Sequence, residues 1–359
     1  MFHLKRFDFY LFLPVVFLLS FSIVTIASVS PANLQNHLFY IFLGLIFFYI
    51  FSYLDLNILT PFSLFLYFFC IIFLTLPLVL GTVTRGVLRW VPIGSFTIQP
   101  SEIVKPFWAL ISSWFWAKDF SFKRLLVYFL SFLPISILIF FQPDLGSTLV
   151  LLSIFLGTVV VSNIKLKHLL FLGLTFFLVL PVFNLFLKDY QKERIVHFLN
   201  PESDPLGKGY NLIQAKIAVG SGGLLGRGLG RGTQSHLAFL PERYTDFIFA
   251  SLAEEFGIVG SFLVLFFYLL LLFKILKICR LTLTKHNRSS YILSTGIFFY
   301  LFFQITVNIG MNIGLLPITG ITLPLLSYGG SSLLATMISL GMLENIVRNE
   351  KSEDALEIK

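Results

Sequence analysis

Charge is scarce in this chain of 359 residues: only 12% are Asp, Glu, Lys or Arg, about half of what a soluble domain carries. Since 57% are hydrophobic, too little polar surface remains to coat a water-soluble body of this length. Lipid is therefore the solvent, and a backbone in lipid must satisfy its own amides as helices or as a closed barrel. The apolar runs are unbroken rather than alternating, which excludes the barrel. Cysteine is nearly absent. Cys70 lies in an apolar run and Cys279 in a distant basic stretch, a spacing that supports neither a disulfide nor a metal or redox site. No His-Glu-x-x-His helix occurs and the six histidines are scattered, so a zinc hydrolase is excluded. One Ser-x-x-Lys, Ser162 to Lys165, has no Lys-Thr-Gly to partner it, so the acyl-transfer site of penicillin-binding enzymes is missing.

What is present is an all-α polytopic membrane protein of about ten transmembrane helices. Spans are expected at roughly 10–29, 38–54, 59–79, 101–117, 125–141, 145–162, 168–187, 246–272, 291–314 and 328–346. Lys5 and Arg6 precede an apolar stretch from Tyr10 to Val29, long for a signal-peptide core and long enough for a retained first helix. The net charge of +8 does not point to nucleic acid, because the basic residues fall between spans, where a positive-inside bias explains them. With both termini in the cytoplasm, the inner segments carry 15 Lys and Arg and the short outer loops carry two, Arg85 and Arg89. The chain reads as one membrane domain, 1–359, with a long extracytoplasmic loop at about 188–245 between helices 7 and 8. That loop holds eight basic residues, among them Arg194, Lys208 and Lys216. They are either a solvated surface for anionic headgroups or a recognition site for a diphosphate. Tyr210, Ile213 and Ile217 stand at helical spacing there and predict a short interfacial helix.

Ionisable groups in or beside a span are expensive and default to functional candidates. Glu102 and Lys105 open the fourth span three residues apart. They form either a structural ion pair or the lining of a polar cavity open to the outside. Asp144 in Gln142-Pro143-Asp144-Leu145-Gly146 is either a helix N-cap or a group near that cavity. Asp246 opens the eighth span directly after the cationic loop, where a cap and a general base are both possible. Glu254 and Glu255 lie deeper, as structural groups or as tuners of the cavity. The glycine-rich run Gly220–Gly232 fits neither a Walker motif nor a dinucleotide fingerprint. It reads as a close-packed loop, with diphosphate binding by its amides as the weaker alternative.

Five stretches resemble the SEDS family of cell-wall polymerases. They are Arg89-Trp90 through Gln99-Pro100-Ser101-Glu102 to Lys105; Gln142 to Gly146; Asp204-Pro205-Leu206-Gly207-Lys208-Gly209-Tyr210 with Gln214 to Gly223; Gly232-Thr233-Gln234-Ser235-His236 through Pro241-Glu242-Arg243-Tyr244-Thr245-Asp246 to Glu254-Glu255; and Leu316 to Gly320 with Pro324 to Ser332. The wording of the third and fourth resembles the RodA branch rather than its division paralogue FtsW. Two positions depart from the family pattern, with Tyr244 where His is usual and Phe256 where Leu is usual.

The resemblance implies an inverting glycosyltransferase that polymerises lipid II on the outer face of the bacterial inner membrane during elongation and rod-shape maintenance. It implies Asp246 as the catalytic carboxylate. Substrate would be held by Arg89, Trp90, Glu102, Lys105, Asp144, Arg194, Lys208, Lys216, Gln234, Glu242 and Ser327. A single carboxylate suffices for one displacement, whereas retention would need a nucleophile as well. Cations or a divalent metal (Mg or Mn) would offset the leaving diphosphate. The expected partners are lipid II and the undecaprenyl-diphosphate-linked glycan, a class B penicillin-binding transpeptidase, and elongation proteins of the MreC and MreD type. A lipid II flippase is the rival reading, and a scaffold for the elongation machinery a third.

Overall fold

The computed structural model describes residues 7–56, 62–84, 87–94, 96–117, 121–165, 167–168, 170, 173, 196–205, 207 and 209–357. Helices α1 (Phe9–Val29), α2 (Leu34–Tyr53) and α3 (Ser63–Leu80) are apolar nearly throughout. A three-stranded antiparallel meander follows, β1 (Thr82–Thr84), β2 (Val87–Ile93) and β3 (Phe96–Ile98), with β2 in the middle. Val91 pairs with Ile98 and Ile93 with Phe96. Then come α4 (Pro100–Trp116), α5 (Phe122–Phe141) and α6 (Leu145–Val161). The long loop carries α7 (Tyr210–Ser221) and a single turn, α8 (Thr233–His236). The chain ends with α9 (Ile248–Thr284), α10 (Arg288–Asn312) and α11 (Gly330–Glu357). Seven of these helices are long and apolar enough to cross a bilayer, and α6 is a shorter apolar helix. The expected seventh span, 168–187, lies outside the described residues apart from isolated positions.

Burial sorts the helices into a centre and a rim. The apolar window of α11 is 94% buried and that of α10 is 72% buried, against 22% for α3 and 28% for α5. The rim helices turn large side chains such as Phe65, Ile72, Leu126 and Leu130 outward, as expected where lipid replaces water. Small residues bring the central helices together. Gly44 of α2 takes the side chains of Leu333 and Met337, and Gly296 of α10 sits against Ala109 and Thr158.

Two features depart from the expected map. The meander at 82–98 occupies what reads as a simple loop, because β1 and β3 are three residues long and the seven residues of β2 do not alternate apolar with polar. The eighth span, expected over 246–272, is instead a 37-residue helix reaching Thr284. At about 1.5 Å per residue it would far exceed a hydrocarbon core of about 30 Å. It is broken at Gly257, whose φ of 66° and ψ of −161° are not helical. The first piece, 248–256, is buried almost throughout. The second, 258–284, turns Phe262, Leu269 and Phe273 outward and is long enough to span by itself. Its later turns carry Lys274, Lys277 and Arg280 on the helix rather than in a loop.

Candidate active site

Asp246 lies in the turn 241–247 that enters the half-helix 248–256. Its backbone is held from α10: Asn308 and Asn312 each donate a side-chain N–H to the Asp246 carbonyl at 3.0 Å. Asn312 Oδ1 accepts the Ala250 amide at 2.9 Å, fixing the first turn of the half-helix. The segment between α10 and α11 grips the other side. Ser327 Oγ donates to the Thr245 carbonyl at 2.6 Å and accepts the Leu323 amide at 2.8 Å. The Tyr328 amide donates to the Tyr244 carbonyl at 2.8 Å. Gly320, with φ of 74°, passes so close that a methyl group there would lie 3.7 Å from Asp246 Oδ2. The Asp246 side chain itself is half-buried.

A polar network fills the bundle beside this turn. Lys105 is fully buried and donates to Glu102 at 2.5 Å and to Gln304 Oε1 at 3.3 Å. Its ammonium also lies 5.7 Å from the centre of the Tyr300 ring. Gln304 Nε2 donates to the Thr322 carbonyl at 3.0 Å, and Thr322 donates to Ser332 at 2.7 Å. Glu102 Oε2 is buried with no hydrogen-bond partner among the described residues. Towards the meander, Asp144 caps α6 by accepting the Ser147 amide and receives Ser101 Oγ at 3.0 Å and Gln99 Nε2 at 2.9 Å. Arg89 of β2 donates to the Gln142 and Pro143 carbonyls and stands 3.9 Å from Asp144. Burial alone would raise the Asp144 pKa, but Arg89, the Ser147 amide and Lys105 outweigh it and hold this carboxyl below its ordinary range.

The glycine-rich segment stitches the broken helix. Gly223 and Leu224 carbonyls accept the amides of Ile258 and Val259, which open the second piece. The amides of Arg227 and Gly228 donate to the carbonyls of Glu254 and Glu255, which close the first. Orphan groups at both helix ends are thereby satisfied. The two carboxylates are spent on the same segment. Glu254 accepts the Gln234 and Ser235 amides at 2.8 and 3.0 Å and Ser235 Oγ at 2.7 Å. Glu255 accepts Ser28 Oγ at 2.5 Å, His236 Nε2 at 2.8 Å and the Gly230 amide at 3.2 Å. Helix α7 then packs Ala215 and Ala218 against Leu240, Phe247 and Ala250.

A family model described as "Cell cycle protein", covering FtsW, RodA and SpoVE, matches residues 3–352. The chain belongs to this family, the SEDS proteins. Relatives include the peptidoglycan glycosyltransferase MrdB of Escherichia coli K12, 41% identical over 295 residues that make up 80% of this chain and 78% of that protein. Stage V sporulation protein E of Bacillus subtilis is 38% identical, over 78% of this chain and 76% of its own. Among solved structures, a chain from a peptidoglycan synthase complex described as coordinating polymerization and crosslinking has a TM-score of 0.81 at 33% identity. The match covers 96% of this chain and 98% of that one. The rod shape-determining protein RodA of Thermus thermophilus gives 0.73 at 28% identity, covering 97% and 98%.

In this SEDS chain the positions expected to hold substrate are not equivalent. Asp144, Glu102 and Lys105 join one buried network, with Arg89 at its edge and Trp90 half-buried on the same strand. Ser327 spends its hydroxyl on the Leu323 amide of its own segment and the Thr245 carbonyl of the turn 241–247. Glu242, with φ of 52°, accepts the Thr245 hydroxyl at 2.9 Å. Gln234 opens the turn clamped by Glu254. Lys216 is exposed and lays its stem over Gly314, just past the C-terminus of α10, where a cation also offsets the helix dipole. Arg194 and Lys208 lie outside the described residues. The interfacial helix exists, but Ile217 of the expected stripe is 44% exposed and the opposite face is buried. A search for charges alone misses Gln304, Asn308 and Asn312. Their signal is neutral: three amides four residues apart on one face of an otherwise apolar span.

Proposed function

We infer that this chain is a peptidoglycan glycosyltransferase that extends a lipid-linked glycan with lipid II, working at the outer face of the inner membrane with both termini in the cytoplasm. The observation that carries the catalytic assignment is the contrast in exposure. Asp246 is half-buried, whereas Glu102, Asp144, Glu254 and Glu255 are at most 4% exposed and held by donors. A general base must reach a substrate proton.

The acceptor hydroxyl attacks the anomeric carbon of the donor. Its proton passes to Asp246, the bond to the diphosphate breaks, and the configuration inverts. Arg89, partly exposed at the edge of the network, and the buried Lys105 behind it supply positive charge on the side of the meander. Among the described residues no three His, Cys, Asp or Glu side chains converge to cage a metal. A Mg or Mn ion would fit here only in the manner of one carboxylate shared with diphosphate oxygens. The missing acyl-transfer motif supports pairing with a class B penicillin-binding transpeptidase, as does the likeness to a chain from a polymerising and crosslinking complex. Elongation proteins of the MreC and MreD type would join the same assembly.

The test is reconstitution of the purified chain with its transpeptidase in proteoliposomes containing lipid II. Glycan polymer supports the reading. Lipid II appearing on the opposite leaflet without polymer would replace it with the flippase.

A further inference from the structure

Ser22 of α1 and His37 of α2 are both fully buried, in an apolar hairpin that none of the five family-like stretches reaches. A polar pair inside a span is costly to keep without a use. Other hydroxyls of α1 turn back on their own helix: Ser20 donates to the Val16 carbonyl and Thr25 to the Phe21 carbonyl, each at 2.8 Å. Ser22 instead reaches across to the Leu326 carbonyl at 2.6 Å. With its one proton spent there, its 2.8 Å contact with His37 Nε2 is a bond donated by the ring. His37 is therefore the Nε2–H tautomer, and its Nδ1 is buried with no hydrogen-bond partner among the described residues. The ring leaves one bond unmade and uses the other to aim the Ser22 hydroxyl at Leu326.

What Ser22 holds is a strained bend. Leu325 has a φ of 66°, left-handed backbone that a leucine keeps only where its surroundings over-determine it. The carbonyls on either side of it are both pinned from the bundle. Tyr268 of α9 donates its hydroxyl to the Pro324 carbonyl at 2.6 Å, and Ser22 does the same for Leu326. The next two residues grip the turn holding Asp246: Ser327 bonds the Thr245 carbonyl, and the Tyr328 amide bonds the Tyr244 carbonyl. Asn36, beside His37, bonds the Tyr328 side chain, and the His37 ring lies 6.0 Å from the Tyr328 ring. A shift of the bend therefore reaches the turn through two bonds, at one and two residues before Asp246.

We propose that Ser22, aimed by His37, is a positioning residue for the transfer step: it latches the bend at Leu325 and, through Ser327 and Tyr328, fixes where the Asp246 carboxylate sits. Both side chains are closed off from substrate and act only through the main chain. Misplacing a reacting group by about 1 Å costs on the order of 10²-fold in rate, so a latch on the segment that grips the turn can act without touching it. The proposal rests on the glycosyltransferase reading above and extends its machinery to the first two helices.

The experiment measures initial rates of glycan polymerisation against lipid II concentration, by the full-length protein with its transpeptidase in proteoliposomes, below the thermal midpoint of every variant. Ser22→Ala and His37→Asn are each expected to lower kcat about tenfold with the lipid II KM unchanged within about twofold. His37→Gln, whose amide N–H₂ reaches the position of Nε2, should bring kcat back to within about threefold of the unaltered chain. The double variant, Ser22→Ala with His37→Asn, should be no slower than Ser22→Ala alone, because the ring acts only through the hydroxyl. A lowered midpoint with kcat unmoved would overturn the latch and leave the pair as packing. Equal losses for His37→Asn and His37→Gln, losses that multiply in the double variant, or a rise in KM alone would also overturn it. Absence of polymer from the unaltered complex would overturn the transferase reading itself, and the proposal with it.

Discussion

Asp246 and Asp144 are both aspartates at helix entrances, and their surroundings divide their work. Asp144 is 1% exposed and gives its oxygens to Ser101, Gln99, Ser147 and Arg89. Removing it strands the Arg89 cation and uncaps α6. Asp144→Ala is therefore expected to cost on the order of 3–5 kcal/mol, read as a lowered thermal midpoint in detergent. The sign of its pH dependence follows from its lowered pKa. The contribution is complete above the unfolded value of about 3.9 and is lost as pH falls through the folded value below it. Unfolding between pH 5 and 8 should therefore be insensitive to this group, and a midpoint that drops in that window only when Asp144 is present would contradict the assignment. These charges were legible in the sequence because an ion in lipid needs a reason. The amides of Gln304, Asn308 and Asn312 were not, because a neutral polar residue inside a span is common enough to pass unnoticed. How deeply each aspartate is buried is a property of packing; the sequence favours Asp246 over Asp144 as a functional group but does not show that Asp144 is the buried cap.

At the scale of elements, the broken helix decides where the turn holding Asp246 sits. Gly257 combines a positive φ with an extended ψ, a region only glycine enters readily. A Cβ there would run into the Gly226 amide and the Leu224 carbonyl. Gly257→Ala is expected to cost at least about 1–3 kcal/mol and to loosen the half-helix that follows Asp246, lowering both thermal stability and polymerisation. Unchanged stability and rate would show that the break is incidental. Glu254→Gln places an amide N–H₂ against a cluster of donors and should cost about 1–3 kcal/mol by the same assay. The spans themselves could be read from hydropathy, since lipid imposes it along whole helices. The break could not, because one glycine in an apolar run looks like any other. The glycine-rich run was legible as a close-packed loop, but the helix ends that its amides and carbonyls satisfy were not. The meander escaped because its outer strands are three residues long and β2 lacks apolar–polar alternation.

Across the whole molecule, a buried pair of helices, α10 and α11, is ringed by helices that face lipid, and the polar network and the turn holding Asp246 lie close together. The 15-to-2 distribution of basic residues between the expected inner segments and the short outer loops supports the proposal that their end of the molecule faces the outside. Both native cysteines are buried, so introduced ones report cleanly. A membrane-impermeant maleimide applied to intact spheroplasts should label Leu225→Cys, beside the helix break, and spare Thr284→Cys at the far end of α9 until the membrane is opened. The reverse pattern would turn the molecule over and place the chemistry where no lipid-linked glycan grows. The account as a whole depends on Asp246 accepting a proton, and the most direct measurement is the initial rate of glycan polymerisation from lipid II by Asp246→Asn and the unaltered chain, each reconstituted with the transpeptidase. Loss of the base should slow polymerisation by about 10²–10⁴-fold, with the protein folded and its thermal midpoint retained. Polymer formed at the same rate by both proteins would contradict it.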